Sequence, residues 1–215
     1  MMGENREGIS VPVLQHAKPA AGGALLAPQT NDEFDSPTLG LQWQWHANHV
    51  DSWYELGRRK SWLRLHPQFT TQEKLSHIPN LLLQKFPART FTVETELDFS
   101  QAQFGEEAGL IIAGEASAVL ALEKTEHGTH MIFRTDTAKK LLQTGVPDIV
   151  RLLVTVEEGG RCTFSVSLAD GPIPISENFQ AKKGVWIGAK VGLYSVRRQK
   201  AEPAGHADFD YFRFK

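Results

Sequence analysis

Between Phe91 and Phe99 the chain alternates without a slip. Phe91, Val93, Thr95, Leu97 and Phe99 fall on one parity, and Thr92, Glu94, Glu96 and Asp98 on the other. Successive side chains of a strand leave opposite sides of the pleat, so a period of two predicts a β-strand with one buried face. Shorter β signals recur through the rest of the chain. Trp53–Leu56 and Trp62–Leu65 flank Gly57-Arg58-Arg59-Lys60 as a hairpin, and Leu81–Phe86 is a short apolar run. Ala108–Ala113, Ala118–Leu122 and His130–Phe133 are split by Gly114 and by the Glu126-His127-Gly128 turn. Ile149–Val156 and Cys162–Leu168 flank a Glu157-Glu158-Gly159-Gly160 turn, and Trp186–Val196 and Ala207–Phe214 close the series. The glycines of Val185–Leu193 point to a central strand overlaid closely by other backbone. One helical turn near Thr71–Leu75, stopped by Pro79, is the only helical signal. About a dozen short strands with regular turns argue an all-β fold, a two-sheet antiparallel sandwich of jelly-roll type.

Domain organisation follows composition. Residues 1–29 are rich in Pro, Ala and Gly and read as a linker, with one short strand near Val11–Leu14. The compact domain occupies residues 30–215. Its two ends share one recipe of acids interleaved with aromatics, Asn31–His46 (NDEFDSPTLGLQWQWH) and Ala207–Phe214 (ADFDYFRF). The ends are therefore expected to be partners in one sheet, with Trp43 and Trp45 pointing to the same side.

Composition narrows the function. A formal charge of −2 with 22% charged residues offers no field for nucleic acid or anionic lipid. No apolar stretch reaches the roughly 20 residues of a membrane helix. The N-terminus lacks the order of a signal peptide, and Met1-Met2-Gly3 reads as a start placed on the interior of a larger protein. The single cysteine, Cys162, lies in an apolar run and is expected to be a buried, inert thiol.

Candidate chemistry reduces to three clusters. Glu96 and Asp98 sit on one strand face, but Gln101 stands where a third acid would complete a glycosidase set, and an amide has no proton to give near neutral pH. These acids, with Glu94, read as an exposed acidic face. Asp32, Glu33, Asp208 and Asp210 are hard oxygen donors near both chain ends, and with backbone carbonyls they are candidates for a structural Ca²⁺. His46 and His49 lack a third ligand for zinc. Of five tryptophans, Trp43, Trp45, Trp53 and Trp62 are expected in the core. Trp186 follows the basic turn Lys182-Lys183-Gly184, and reads either as an exposed platform for sugar or a partner or as a core residue of its strand.

Several stretches together resemble the C-terminal, concanavalin-like β-sandwich domain of glycoside hydrolase family 43, the β-xylosidases and α-L-arabinofuranosidases. They are Asp32-Glu33-Phe34, the specific string Leu39-Gly40-Leu41-Gln42-Trp43-Gln44-Trp45, Trp53, Leu63-Arg64-Leu65, Ala108-Gly109-Leu110, and Ala207-Asp208-Phe209-Asp210-Tyr211-Phe212. Pro12-Val13-Leu14 and Lys18-Pro19 resemble the tail of the catalytic domain that precedes the sandwich. In that family catalysis belongs to a separate β-propeller, whose acids nothing here matches. The resemblance therefore implies no catalytic residue in this chain, a catalytic propeller as partner, and a loop aromatic, aligned with Trp186, at the active-site mouth. The rival readings are an independent carbohydrate-binding module for xylan-type polysaccharides and a single-domain hydrolase that would depend on Glu96.

Overall fold

The alternating stretch folds as one strand, Phe91–Asp98, in the middle of a sheet. The computed structural model describes residues 2–13, 22–23, 27–168, 171–200 and 202–215. Two eight-stranded sheets face each other. The first runs in the order Lys139–Gln143, Gly128–Thr135, Ala118–Thr125, Glu106–Ala113, Lys190–Arg197, Leu82–Lys85, Gln44–Trp45. Gln68–Phe69 joins Lys190–Arg197 as its parallel neighbour. The second sheet runs Gly171–Gln180, Arg161–Leu168, Ile149–Val156, Phe91–Asp98, Ala207–Phe209, Leu63–Leu65, Tyr54–Leu56, and Arg213–Phe214 also pairs with Phe91–Asp98. Leu110, Leu120 and Leu193 of the first sheet and Val93, Leu97 and Phe164 of the second meet in the space between. This is the sandwich the alternation predicts.

The chain ends are partners as expected. Asp32 N–H donates to the Phe212 carbonyl at 2.9 Å and Phe212 N–H returns the bond at 2.8 Å. Phe214 N–H donates to Asn31 Oδ1 at 2.7 Å. The acid in Asp32-Glu33-Phe34 has a local reason. Its Oδ1 accepts from Phe34 N–H, holding the buried Phe34 at a left-handed φ of 51°, while Oδ2 accepts from the Trp43 indole at 2.8 Å. A buried indole N–H needs such a partner.

Several boundaries differ. The expected strand from Trp186 begins only at Lys190, and residues 181–189 form a loop. The close overlay holds at Gly192, where an added Cβ would stand 2.0 Å from the Leu82 carbonyl, but Gly188 faces open space. The last strand breaks into Ala207–Phe209 and Arg213–Phe214. The helical turn is a 3-10 turn at Leu75–His77. Lys139–Gln143 and Gly171–Gln180 are additional strands at the sheet edges, where lysines and prolines are tolerated and hide the β pattern. Within the segment read as linker, Met2–Glu4 pairs with Ser10–Pro12, and the expected strand's Leu14 lies outside the described residues.

The outer faces of the two sheets differ in kind. On the first sheet, Ile111, Val119, Ala121, Ile132, Tyr194 and Val196 form a second apolar layer under Leu75, Ile78 and Leu81. Beside it lies a fully buried carboxylate, Glu107, which takes both Arg134 Nη2 at 2.6 Å and the Tyr194 hydroxyl at 2.6 Å. Burial pushes the Glu107 carboxyl up, but Arg134, Tyr194 and Arg198 together more than offset it, so its pKa lies below the ordinary value. On the second sheet the acids of Phe91–Asp98 are not the exposed face expected. Glu94 is buried and Glu96 and Asp98 are half-buried, and each stands beside a cation: Lys215 at 2.9 Å, Arg151 at 3.8 Å and Arg59 at 2.7 Å.

Candidate functional site: a cavity beneath an exposed tryptophan loop

The first sheet's apolar outer layer, which includes Leu83 and Ala113, is buried throughout. Leu75, Ile78 and Leu81 pack into this layer, and the loop between Lys182 and Ala189 lies beside Leu83 and Ala113. The loop's origin is pinned: the Lys182 carbonyl occupies the space a Cβ on Gly114 would need, with only 2.0 Å between them. Beyond that anchor, Gly184 and Gly188 bracket three exposed apolar residues. Val185 is 86% exposed, Trp186 94% and Ile187 46%. Apolar side chains displayed together at this level mark a contact surface, because solvent exposure of large apolar area is unfavourable.

Under the loop lies a cavity of about 280 Å³. Leu83 and Ala113 form its floor with Lys190, and His46 and the 184–188 loop line it with them. Lys190 is only 8% exposed. In the ladder it stands opposite Ala113 on one side and Lys85 on the other. Burial, and then the charge of Lys85, hold its ammonium pKa below the usual lysine value. His46 is fixed by its backbone N–H to the Leu81 carbonyl at 2.9 Å and by its ring Nε2, 3.0 Å from the Ser76 carbonyl. A second cavity of about 570 Å³ flanks the same sheet edge, lined in part by Leu41, Gln44, Lys85 and Phe86, and Leu41 is fully exposed.

The other tryptophans are occupied elsewhere. Trp43 is in the core, and Trp45 packs against it while touching Trp53 and Tyr54 at 5.4 and 5.5 Å between ring centroids. The Arg59 guanidinium stacks on Trp62 at 3.4 Å from its ring centre. Trp186 alone among the five is fully displayed.

The four carboxylates considered for calcium do not converge. Glu33 is gripped by both Arg213 nitrogens, at 2.7 and 2.6 Å, and the Arg213 hydrogen bond lowers its pKa. Asp208 takes Arg64 in a fork at 2.8 and 2.9 Å. Both oxygens of Asp32 accept N–H groups, and Asp210 has a raised pKa from burial. Among the described residues no group of three or more His, Cys, Asp or Glu side chains is placed to hold a metal ion. Three of the four carboxylates are already taken by guanidinium, indole and backbone N–H groups, and such a set does not fit Ca²⁺, which needs free oxygen lone pairs. Cys162 is fully buried, and burial pushes its thiol up to about 11, so it has no thiolate to offer near neutral pH.

Of the two readings the sequence left for Trp186, the structure shows the exposed one, and its neighbours carried no such signal. Val185 and Ile187 read as ordinary strand residues. Lys190 carried one signal, a lone cation inside an otherwise apolar run.

The family described as Beta xylosidase C-terminal Concanavalin A-like domain matches residues 31–215. A β-xylosidase of Formosa agariphila is 26% identical over 98% of this chain, and a non-reducing end α-L-arabinofuranosidase of Bacteroides ovatus is 27% identical over 86%. The chain spans 39% of the first protein's length and 36% of the second's. The crystal structure of a xylan β-1,4-xylosidase from Bacillus halodurans has a TM-score of 0.77 at 20% identity, covering 100% of this chain and 46% of that one, which shows a shared fold.

Proposed function

Because the chain belongs to the family of β-xylosidase C-terminal concanavalin A-like domains, we propose that it is the non-catalytic accessory domain of a family 43 glycoside hydrolase. In this reading it packs against the catalytic propeller and shapes the entrance to the active site through the Trp186 loop. The observation that carries the reading is the display of Val185, Trp186 and Ile187 at the rim of a cavity. Three apolar side chains held out on a loop anchored at Gly114 suit burial against another surface, and an indole suits the C–H face of a sugar. The absence of a catalytic role is supported by the state of the acids. Glu94, Glu96 and Asp98 each stand beside a cation, so these acids form ion pairs and not the carboxylate pair that glycoside hydrolysis uses.

The test is an enzyme in which this chain follows a family 43 catalytic domain. Trp186→Ala is expected to lower kcat/KM on aryl xylosides about tenfold, equivalent to about 1.4 kcal/mol of transition-state binding, with the melting temperature unchanged. Unchanged kinetics would remove the loop from the active-site entrance. A free-standing binding module would instead be retarded, as the isolated chain, on gels of xylan that carries no acidic substituents. The display of one indole, where a binding face would present several, weighs against that rival.

A further inference from the structure

Lys190 brings a positive charge into the cavity under Trp186, and among the described residues no hydrogen bond or ion pair reaches its ammonium. Its neighbour across the ladder is a second cation, Lys85. Lys190 is nine-tenths buried along its length, and its ammonium, with no carboxylate of the described chain beside it, is left to water or to an anion entering the cavity, so a negative ligand suits this site.

The walls select which anion. Phosphate and sulfate sites draw on several donors, commonly an arginine fork or a helix N-terminus, and this cavity has one lysine. Leu83, Ala113, Val185, Ile187 and the Trp186 indole present apolar surface around that single charge. The matching ligand carries one carboxylate on a compact body with a C–H face. A volume of about 280 Å³ lies at the small end of ligand cavities and suits one six-membered ring.

We infer that the cavity binds a single uronic-acid residue, with its carboxylate on Lys190 and its ring face against Trp186. This rests on the reading of the Trp186 loop as an element that faces carbohydrate. The acid would be a substituent of the polysaccharide being degraded, or the free sugar acid released from it.

The isolated chain is titrated with D-glucuronate, D-xylose and acetate at pH 7 and matched ionic strength. Backbone amide shifts of residues 184–190 and the Trp186 indole N–H resonance report binding. Glucuronate is expected to give saturable shifts with a Kd at least tenfold below those of xylose and acetate. Lys190→Met and Trp186→Ala are each expected to weaken glucuronate about tenfold. Trp186→Ala changes only an exposed loop, so it carries the test if Lys190→Met disturbs the sheet. A methyl glucuronoside binding as well as free glucuronate assigns the site to a polymer substituent, and its failure to bind assigns the free acid.

Absence of saturable glucuronate shifts overturns the inference. So does acetate binding as tightly as glucuronate, which would mark the lysine as a socket for a protein carboxylate. Either outcome leaves the accessory role standing, because that role is read from the kinetics of the joined enzyme.

Discussion

The two sheets solve opposite problems on their outer faces. The second sheet meets solvent with charge: Arg64 forks onto Asp208, Arg59 bridges Asp98, and Arg213 grips Glu33. Such a face needs no cover, and its pairs, most of them partly hydrated, contribute little each. The first sheet presents Ile111, Val119, Ile132 and Val196 outward, and this surface is stable only because Leu75, Ile78 and Leu81 are laid over it. Leu83 and Ala113 belong to the same buried layer and also line the cavity beside the Trp186 loop. The charged face ends in solvent, whereas the apolar face ends at the loop that displays Val185, Trp186 and Ile187, the site proposed above for contact with a second surface.

The sharpest way to break the contrast is Glu107→Ala. It leaves Arg134 buried without its carboxylate and is expected to cost about 3–5 kcal/mol, read from the midpoint of urea unfolding. The same group predicts a pH effect. A carboxyl whose folded pKa lies below its unfolded value of 4.5 stabilises the fold above that value, and the contribution is lost as pH falls through the folded pKa. Below about pH 4.5 the native chain should lose stability more steeply than Glu107→Gln, measured by thermal melts across pH 3–6. Some acid slope will remain in the variant, because Glu33 and Asp98 also have lowered pKa values.

Ile78→Ala tests the cover itself. Truncating this fully buried side chain is expected to cost about 2–4 kcal/mol and to speed hydrogen exchange at 75–81 before the rest of the sheet. On the charged face the counterpart is Glu33→Ala. Both partners there are about half exposed, so the loss is expected to stay under about 1 kcal/mol and to shrink in high salt. The smallest effect is expected from a chelator. With Asp32, Glu33 and Asp208 already filled by donors, EDTA should leave the melting temperature where it is, and a drop of several degrees would reinstate a calcium site.

How far the sequence reveals this depends on which face a residue serves. Phe91–Asp98 was legible because one side is apolar and the other polar. Residues 108–113 and 118–122 are apolar on both sides, which shows that they are buried without saying what covers the outer side. The answer lies in Leu75, Ile78 and Leu81, whose spacing across a polar stretch has no strand period. The loop at 181–189 was hidden for a related reason: Val185-Trp186-Ile187 has strand composition, and only its lack of a pairing partner makes it a loop. The paired ends were readable from matching acids and aromatics, whereas the fork of Arg213 onto Glu33 joins residues 180 positions apart, with no local signal.

The clasp of Asp32 against Phe212 decides how the domain would yield to force. Tension applied between residue 32 and the far terminus loads two backbone bonds and the Glu33–Arg213 fork in series, so the edges part like a zipper. The long ladders of the sandwich, loaded side-on, would be spared until those few links had opened. A lateral tug from any attached body would therefore loosen the seam first and leave the Trp186 cavity intact.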